Sequence, residues 1–291
     1  MIDRRELMKA ATGLAGLGLF GSSAALAADA LADTCTRLEA GSGGRLGVGL
    51  LDTAGGRMIG HRLDERFPMC STFKALAAGV VLARVDRKQE NLDRRVNYTK
   101  SDLVTYSPAT EKHVEGGMTI AELCEAAITL SDNTAGNLLL ASFGGPAGLT
   151  SFARSLGDET TRLDRIETEL NQALPGDPRD TTSPRAMAQT LRALTLGDAL
   201  SATSRAQLIA WLKANTTGGT RLRAGVPSGW AVADKTGTGD HGTANDVAVL
   251  WPPQRAPLIV TVYLTGAAVA RDQQNKIIAD IGAAVADAMR G

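Results

Sequence analysis

Metal-binding and redox side chains are scarce in this chain. Its 291 residues include three histidines (His61, His113 and His241) and three cysteines (Cys35, Cys70 and Cys124), with no C-x-x-C and no histidine-rich spacing. That pattern excludes a zinc centre built on the usual Cys/His spacings. Lysine and arginine together number 31 and are matched by 31 aspartates and glutamates, so the formal charge is zero. Nothing in that balance draws the chain to nucleic acid or to an anionic membrane surface. After the first residues no apolar run approaches the roughly 20 residues that a membrane-spanning helix needs. Internal repeats and low-complexity tracts are absent too. With 44% hydrophobic residues, the chain can build one large domain or two interleaved ones.

The N-terminus has its own texture. Arg4-Arg5-Glu6-Leu7-Met8-Lys9 precedes a small-residue, apolar run from Ala10 to Phe20, and Ala25-Leu26-Ala27 supplies an A-x-A cleavage site. Residues 1–27 read as an export signal, with paired arginines similar to those of the twin-arginine type. Its removal takes away three positive and two negative charges and leaves the mature chain near −1. A periplasmic or secreted protein is expected, monomeric and without a membrane anchor. An odd number of cysteines in an exported chain leaves at least one thiol free or intermolecular.

Two short β-rich pieces, 46–51 and 57–62, flank Asp52-Thr53-Ala54-Gly55-Gly56 and read as a hairpin. Phe67-Pro68-Met69-Cys70-Ser71-Thr72-Phe73-Lys74 then leads into an alanine-rich apolar run over 75–85. This spacing predicts Ser71 in the first turn of a buried helix, with Lys74 three residues later on the same face. Free backbone N–H groups and the positive end of the helix dipole can stabilise an oxyanion there. An amine held beside the hydroxyl in a partly desolvated core can lose its proton and act as a base. Alone, the S-x-x-K spacing, which arises by chance about once in a chain of this length, reads first as an ordinary N-cap.

A polar loop over 91–117 carries Tyr106-Ser107-Pro108, and Thr119-Ile120-Ala121-Glu122 is a capping box opening a helix through 130. Further helices are expected over 133–142 and 146–156. Residues 157–182 lack sustained periodicity and hold Pro175, Gly176 and Pro178; so long a loop in a compact domain is usually functional. Ser183-Pro184 is an N-cap with proline at the first helical position. Ser204-Arg205-Ala206-Gln207 reads as a second capping box, for a helix ending near 214. Beyond Gly218, β-rich pieces at 230–236, 243–251 and 258–264 precede a helical pattern over 270–289. Strands at both ends with helices between them predict a mixed α/β (α+β) fold. An antiparallel sheet with flanking helices would come from 28–65 and 215–291, beside an all-helical insert over 66–214.

Three more pieces follow the serine in order. Ser131-Asp132-Asn133 falls in a short turn between helices, where side chains can enter a cleft but where all three also suit a cap. Lys235-Thr236-Gly237-Thr238-Gly239 ends a strand, and its glycines admit a ligand or another backbone. Arg165-Ile166-Glu167-Thr168-Glu169-Leu170-Asn171 sits in the long loop. Each alone has a bland reading: a helix break, an edge turn, a solvated charged loop. Together, S-x-x-K, S-D-N and K-T-G are the elements of class A β-lactamases and penicillin-binding proteins. Over nearly its whole mature length the chain resembles a class A serine β-lactamase, most nearly the extended-spectrum and carbapenem-hydrolysing branches. Tyr106-Ser107-Pro108-Ala109-Thr110-Glu111-Lys112-His113, Arg162-Leu163-Asp164-Arg165 and Asp177-Pro178-Arg179-Asp180-Thr181-Thr182 carry the likeness further.

The resemblance implies a β-lactamase/D,D-peptidase-like fold and hydrolysis of the β-lactam amide of penicillins and cephalosporins through an acyl-enzyme. It makes Ser71 the nucleophile and the N–H groups of Ser71 and Thr238 the oxyanion hole. Lys74 and Glu167 are two candidate bases for acylation, and the choice stays open. Glu167 and Asn171 would hold the hydrolytic water, and Ser131 would relay a proton to the departing ring nitrogen, helped by Lys74 and Lys235. Asn133 would bond the substrate's side-chain amide. Lys235, Thr236 and Thr238, with Gly237 between them, would hold its carboxylate, Arg221 adding charge behind. Tyr106 would wall the mouth, and Arg165 and Asp180 would pair across the neck of the loop. A cis peptide is expected between Glu167 and Thr168, where relatives often carry proline. The implied partners are a small β-lactam and water, with no cofactor and no metal.

Some positions depart from the pattern. Cys70 precedes the nucleophile as in the carbapenem-hydrolysing branch, but the partner position holds Gly239, so that disulfide is excluded; the partner position of Cys124 holds Ala78. Gly239 is expected to leave room for large cephalosporin side chains. Two rival readings remain. A D,D-peptidase shares the acylation machinery but is opposed by Glu167 and Asn171. A β-lactam sensor that acylates without turnover is opposed by the lack of membrane spans.

Overall fold

The computed structural model describes residues 15–289. The arginine pair and the start of the expected export signal lie outside them. Helix α1 (Ala15–Ser42) leads into the expected hairpin, β1 (Arg45–Asp52) and β2 (Arg57–His61). A short β3 (Phe67–Pro68) and a 3-10 turn (Cys70–Thr72) run directly into α2 (Phe73–Asp86). The polar loop beyond is pinched by a two-residue pairing of β4 (Arg95–Val96) with β5 (Met118–Thr119). Helices α3 (Ile120–Thr129), α4 (Asn133–Ser142) and α5 (Gly145–Ser155) follow. The long loop ends in β6 (Thr181–Thr182), which pairs with β3 and so ties its neck to the strand before Ser71. Then come α6 (Pro184–Thr195), α7 (Ala202–Lys213), the single turn α8 (Leu222–Gly225), β7 (Ala231–Gly239), β8 (Thr243–Trp251), β9 (Leu258–Thr265) and α9 (Arg271–Ala288).

Side-chain caps open α3, α4, α6 and α7. The Thr119 hydroxyl accepts the Glu122 N–H at 3.2 Å while the Glu122 carboxylate accepts the Thr119 N–H at 2.7 Å, the reciprocal pair of a capping box. Ser183 accepts the N–H of Ala186 ahead of Pro184. The box expected at 204–207 is displaced: Ser201 caps α7, accepting the N–H of Ser204 at 3.2 Å. Both serine hydroxyls donate to Asp86 at the end of α2, at 2.7 and 2.6 Å. That distant carboxylate, rather than the local S-x-x-Q spacing, decides where the helix begins.

Five of these strands form one antiparallel sheet in the order β2-β1-β9-β8-β7. Leu46, Val48 and Leu50 of β1 alternate onto the face covered by α1 and α9, where they meet Leu31, Cys35, Leu38, Ile278 and Ile281. The intervening Gly47 and Gly49 face the other way. A Cβ on Gly47 would lie 2.5 Å from the Phe67 ring, and one on Gly49 would lie 2.7 Å from Thr261 Oγ1. Glycine here lets Phe67 and the start of α6 press flat on the sheet. The second core surrounds α2, which is buried from Phe73 through Ala83 and therefore shows no polar stripe. Among the described residues no helix is long and apolar enough to cross a membrane.

Candidate active site

Ser71 lies in the 3-10 turn that begins α2, after Cys70, whose φ of +45° is left-handed although it is not glycine. The turn aims the hydroxyl out of the helix end into a cleft of about 360 Å³ between the sheet and the helical region. Ser71, Ser131, Asn133, Asn171, Arg221 and Thr238 line it, with Tyr106 at its mouth, 58% exposed.

Lys74 is fully buried on the same face. Its Nζ donates to Ser71 Oγ at 3.0 Å, to Ser131 O at 2.9 Å and to Asn133 Oδ1 at 2.6 Å, and lies 2.9 Å from Glu167 Oε1. Removal from water holds the ammonium below lysine's usual range, while the Glu167 carboxylate partly restores it. Room for the side chain comes from Gly136 on α4, where a Cβ would stand 2.9 Å from Lys74 Cε. The Ser71 hydroxyl donates to Glu167 Oε1 at 3.1 Å, so the nucleophile touches both candidate bases at once.

Glu167 is 2% exposed. Asn137 holds its backbone from both sides, accepting its N–H at 2.8 Å and donating to its carbonyl at 2.9 Å. The peptide to Thr168 is cis, as expected. Asn171 Nδ2 donates to Glu167 Oε2, while Asn171 Oδ1 is buried and has no partner among the described residues. The neck of the loop is closed by Arg165 Nε on Asp180 Oδ2 at 2.6 Å, the expected pair.

On the far wall Lys235, also fully buried, donates to Ser131 Oγ at 3.0 Å and to Thr236 O at 2.8 Å. Burial first, and the charge of Lys74 second, push its ammonium well below the usual lysine range. Arg221 donates to the carbonyls of Gly237 and Asn245 at 2.8 and 2.7 Å and to Thr238 Oγ1 at 2.8 Å, with Asn275 Oδ1 on its Nε at 2.9 Å. Asp132 caps α4 and accepts the N–H groups of Ala109 and Thr110 at 2.9 Å each, so it fixes the Tyr106 loop. Asn133 faces inward: its Nδ2 donates to Thr105 O at 2.8 Å.

Every site residue expected from sequence thus borders one cleft or its supports. Two details differ. Gly239 does not simply leave space for substrate. A Cβ there would lie 2.7 Å from both Asn171 O and Cys70 Sγ, and Asp240 N donates to that same carbonyl at 2.9 Å. The missing side chain lets the long loop close on β7. All three cysteines are free and buried. Asn137, Asn245 and Asn275 were not foreseen. For Asn137 a signal existed, since it stands four residues after Asn133 on α4 and so shares its face.

A model described as the β-lactamase enzyme family matches residues 30–289. The chain is 56% identical to the β-lactamase Toho-1 of Escherichia coli over 264 residues, 90% of each chain. It is 50% identical to the β-lactamase AST-1 of Nocardia asteroides over 298 residues, 99% of this chain and 96% of that one. Among solved structures, PenP of Rhodopseudomonas palustris, put forward as a class A β-lactamase, superposes with a TM-score of 0.89 at 89% identity. It covers 89% of this chain and 100% of its own.

Proposed function

The chain belongs to the class A β-lactamases and is a serine β-lactamase; from that premise we propose how its residues divide the work. Ser71 attacks the lactam carbonyl of a penicillin or cephalosporin, and the N–H groups of Ser71 and Thr238 receive the oxyanion. The Ser71 proton leaves to Glu167 or Lys74, which stand 3.1 and 3.0 Å from its oxygen. Ser131, bonded to Lys235 and close to Lys74, returns a proton to the departing ring nitrogen. Lys235, Thr236 and Thr238 with Arg221 bind the substrate carboxylate, and Asn133 binds its side-chain amide. Glu167 then activates water against the ester.

The unpartnered Asn171 Oδ1 carries this last step. A buried acceptor needs a donor, and a water donating to it and to Glu167 would sit on the deacylation face of Ser71. The same reading takes residues 1–27 as an export signal, sends the mature chain to the periplasm or medium as a monomer, and divides it at 66 and 214 into a sheet domain and a helical insert.

The test is to separate the two chemical steps. Mixed with a good penicillin, Glu167→Ala should acylate in a burst of about one equivalent and accumulate a Ser71 adduct by intact mass, with turnover down about 10²–10⁴-fold. Ser71→Ala should show neither adduct nor turnover. Wild-type rates in Glu167→Ala would remove the deacylation role. A wild type that stopped at the adduct would favour the penicillin-binding-protein reading.

A further inference from the structure

We propose that Asn245 is a positioning residue for acylation, holding the Ser71 turn at a fixed distance from the Thr238 strand without touching substrate. The proposal rests on the roles given above to Ser71 and Thr238. Asn245 lies on β8, opposite Gly237 of β7 and Tyr263 of β9, and is fully buried. Its Nδ2 donates to two successive backbone carbonyls, Pro68 O at 2.9 Å and Met69 O at 3.0 Å. Two facing acceptors demand the NH₂ end of the amide, so the orientation is settled by chemistry. Its Oδ1 is buried on the other side with no partner among the described residues. A leucine of the same shape would carry no such unpaired oxygen. Asn245 is therefore better explained by where its NH₂ points than by any gain in core stability.

The two carbonyls belong to the residues just before Cys70 and Ser71. Met69 is gripped from several directions. Its N–H donates to Asp180 O at 2.9 Å, and its carbonyl accepts the Thr72 N–H and Oγ1 at 3.2 and 2.8 Å as well as Asn245. A Cβ on Gly237 would meet the same carbonyl at 2.8 Å and Asn245 Nδ2 at 3.2 Å. The backbone of Asn245 works on the opposite wall, where its carbonyl shares Arg221 Nη1 with Gly237 O. One residue thus joins the nucleophile's turn, the oxyanion strand and the guanidinium behind the carboxylate site. An oxyanion hole stabilises charge only when its two donors are spaced for it in advance, and a misplacement of about 1 Å can cost 10²-fold.

The test uses Asn245→Leu, with rates counted per folded, Ser71-titratable molecule. The acylation rate constant, measured by stopped flow in the Glu167→Ala background, should fall about 10–100-fold. Affinity for an arylboronic acid, which forms a tetrahedral adduct on Ser71, should fall in parallel. The Kd for penicillin in the Ser71→Ala background should stay within threefold. Acylation and boronate affinity within twofold of wild type, with only a lowered Tm, would overturn the proposal. So would a loss confined to ground-state Kd. If Asn245→Leu does not fold, Asn245→Ala is judged by the same constants; failure of both to fold would mark Asn245 as structural and sink the proposal. A Ser71→Ala enzyme that still turned over penicillin would instead remove the nucleophile reading, a separate result.

Discussion

Arg165→Ser should unlatch the loop that carries Glu167. Arg165 Nε meets Asp180 Oδ2 at 2.6 Å, its Nη1 donates to Gln172 Oε1 at 2.7 Å, and its Nη2 comes within 3.7 Å of Asp177. Asp180 is fully buried, and its Oδ1 also accepts the N–H groups of Asp164 and Arg165 at 2.7 and 2.9 Å. Removing one partner of a buried pair costs about 3–5 kcal/mol. Here the two backbone donors still serve the carboxylate, which brings the loss to about 2–3 kcal/mol, the worth of a charged hydrogen bond. That is about a 30–150-fold change in the open-to-closed ratio of the loop. Opening swings Glu167 and Asn171 away from Ser71 and widens the cleft. Benzylpenicillin kcat should drop at least tenfold, while kcat/KM for a bulky oxyimino-cephalosporin holds or rises. Hydrogen exchange over 166–178 should quicken by about the same 30–150-fold. Exchange within threefold of wild type, or an equal fall for both substrates, would refute the latch.

The two buried lysines make a test of stability against pH. Because burial holds Lys235 well below lysine's ordinary 10.5, the unfolded chain binds a proton that the native site resists, and wild-type stability rises with pH between the lowered value and 10.5. Lys235→Met should therefore raise Tm by roughly 3–6 °C at pH 7 and by less at pH 9, while nearly abolishing kcat/KM; calorimetry showing no gain at either pH would count against this. Thr238 Oγ1 accepts from Arg221 at 2.8 Å, which frees its own proton for substrate. Thr238→Ala should lower the cephalosporin-to-penicillin ratio of kcat/KM about 5- to 10-fold, one hydrogen bond's worth, and an unchanged ratio would dismiss the hydroxyl.

What could be read from sequence was what depends on near neighbours. Ser183-Pro184, Thr119 with Glu122, and the Asp52–Gly56 turn each act within a few residues, and each fell where expected. β7 runs to Gly239, three residues beyond the expected end, because Gly237, Thr238 and Gly239 pair with Asn245, Ala244 and Thr243. Local preference argues for a turn at those glycines, and cross-strand pairing overrides it. Ser201 caps α7 for the same kind of reason, through Asp86, and four-residue α8 has too few positions to show a period. The reactive groups were legible because their spacing is itself the chemistry. Asn137, Asn245 and Asn275 were not, because each serves a partner 30 or more residues away, two of them backbone.

That division follows where the structure concentrates its electrostatic cost. Lys74 and Lys235 are both fully buried, and each amine is held below its normal range chiefly by loss of water. No local motif could make such a pair tolerable. Ser131 must sit between them, its carbonyl on Lys74 and its hydroxyl on Lys235, and Glu167 must reach in from a loop almost a hundred residues along the chain. Asn137 and Asn245 then take up backbone groups around this centre, and Asn275 holds the Arg221 guanidinium, so that the turn, the loop and the strand cannot drift apart. At Lys74, beside Ser71, that depression favours the neutral amine that can accept the Ser71 proton, and it lasts only while the surrounding elements keep water out. Loosening any support should therefore act on rate before it acts on binding, the order in which Arg165→Ser and Asn245→Leu are to be read.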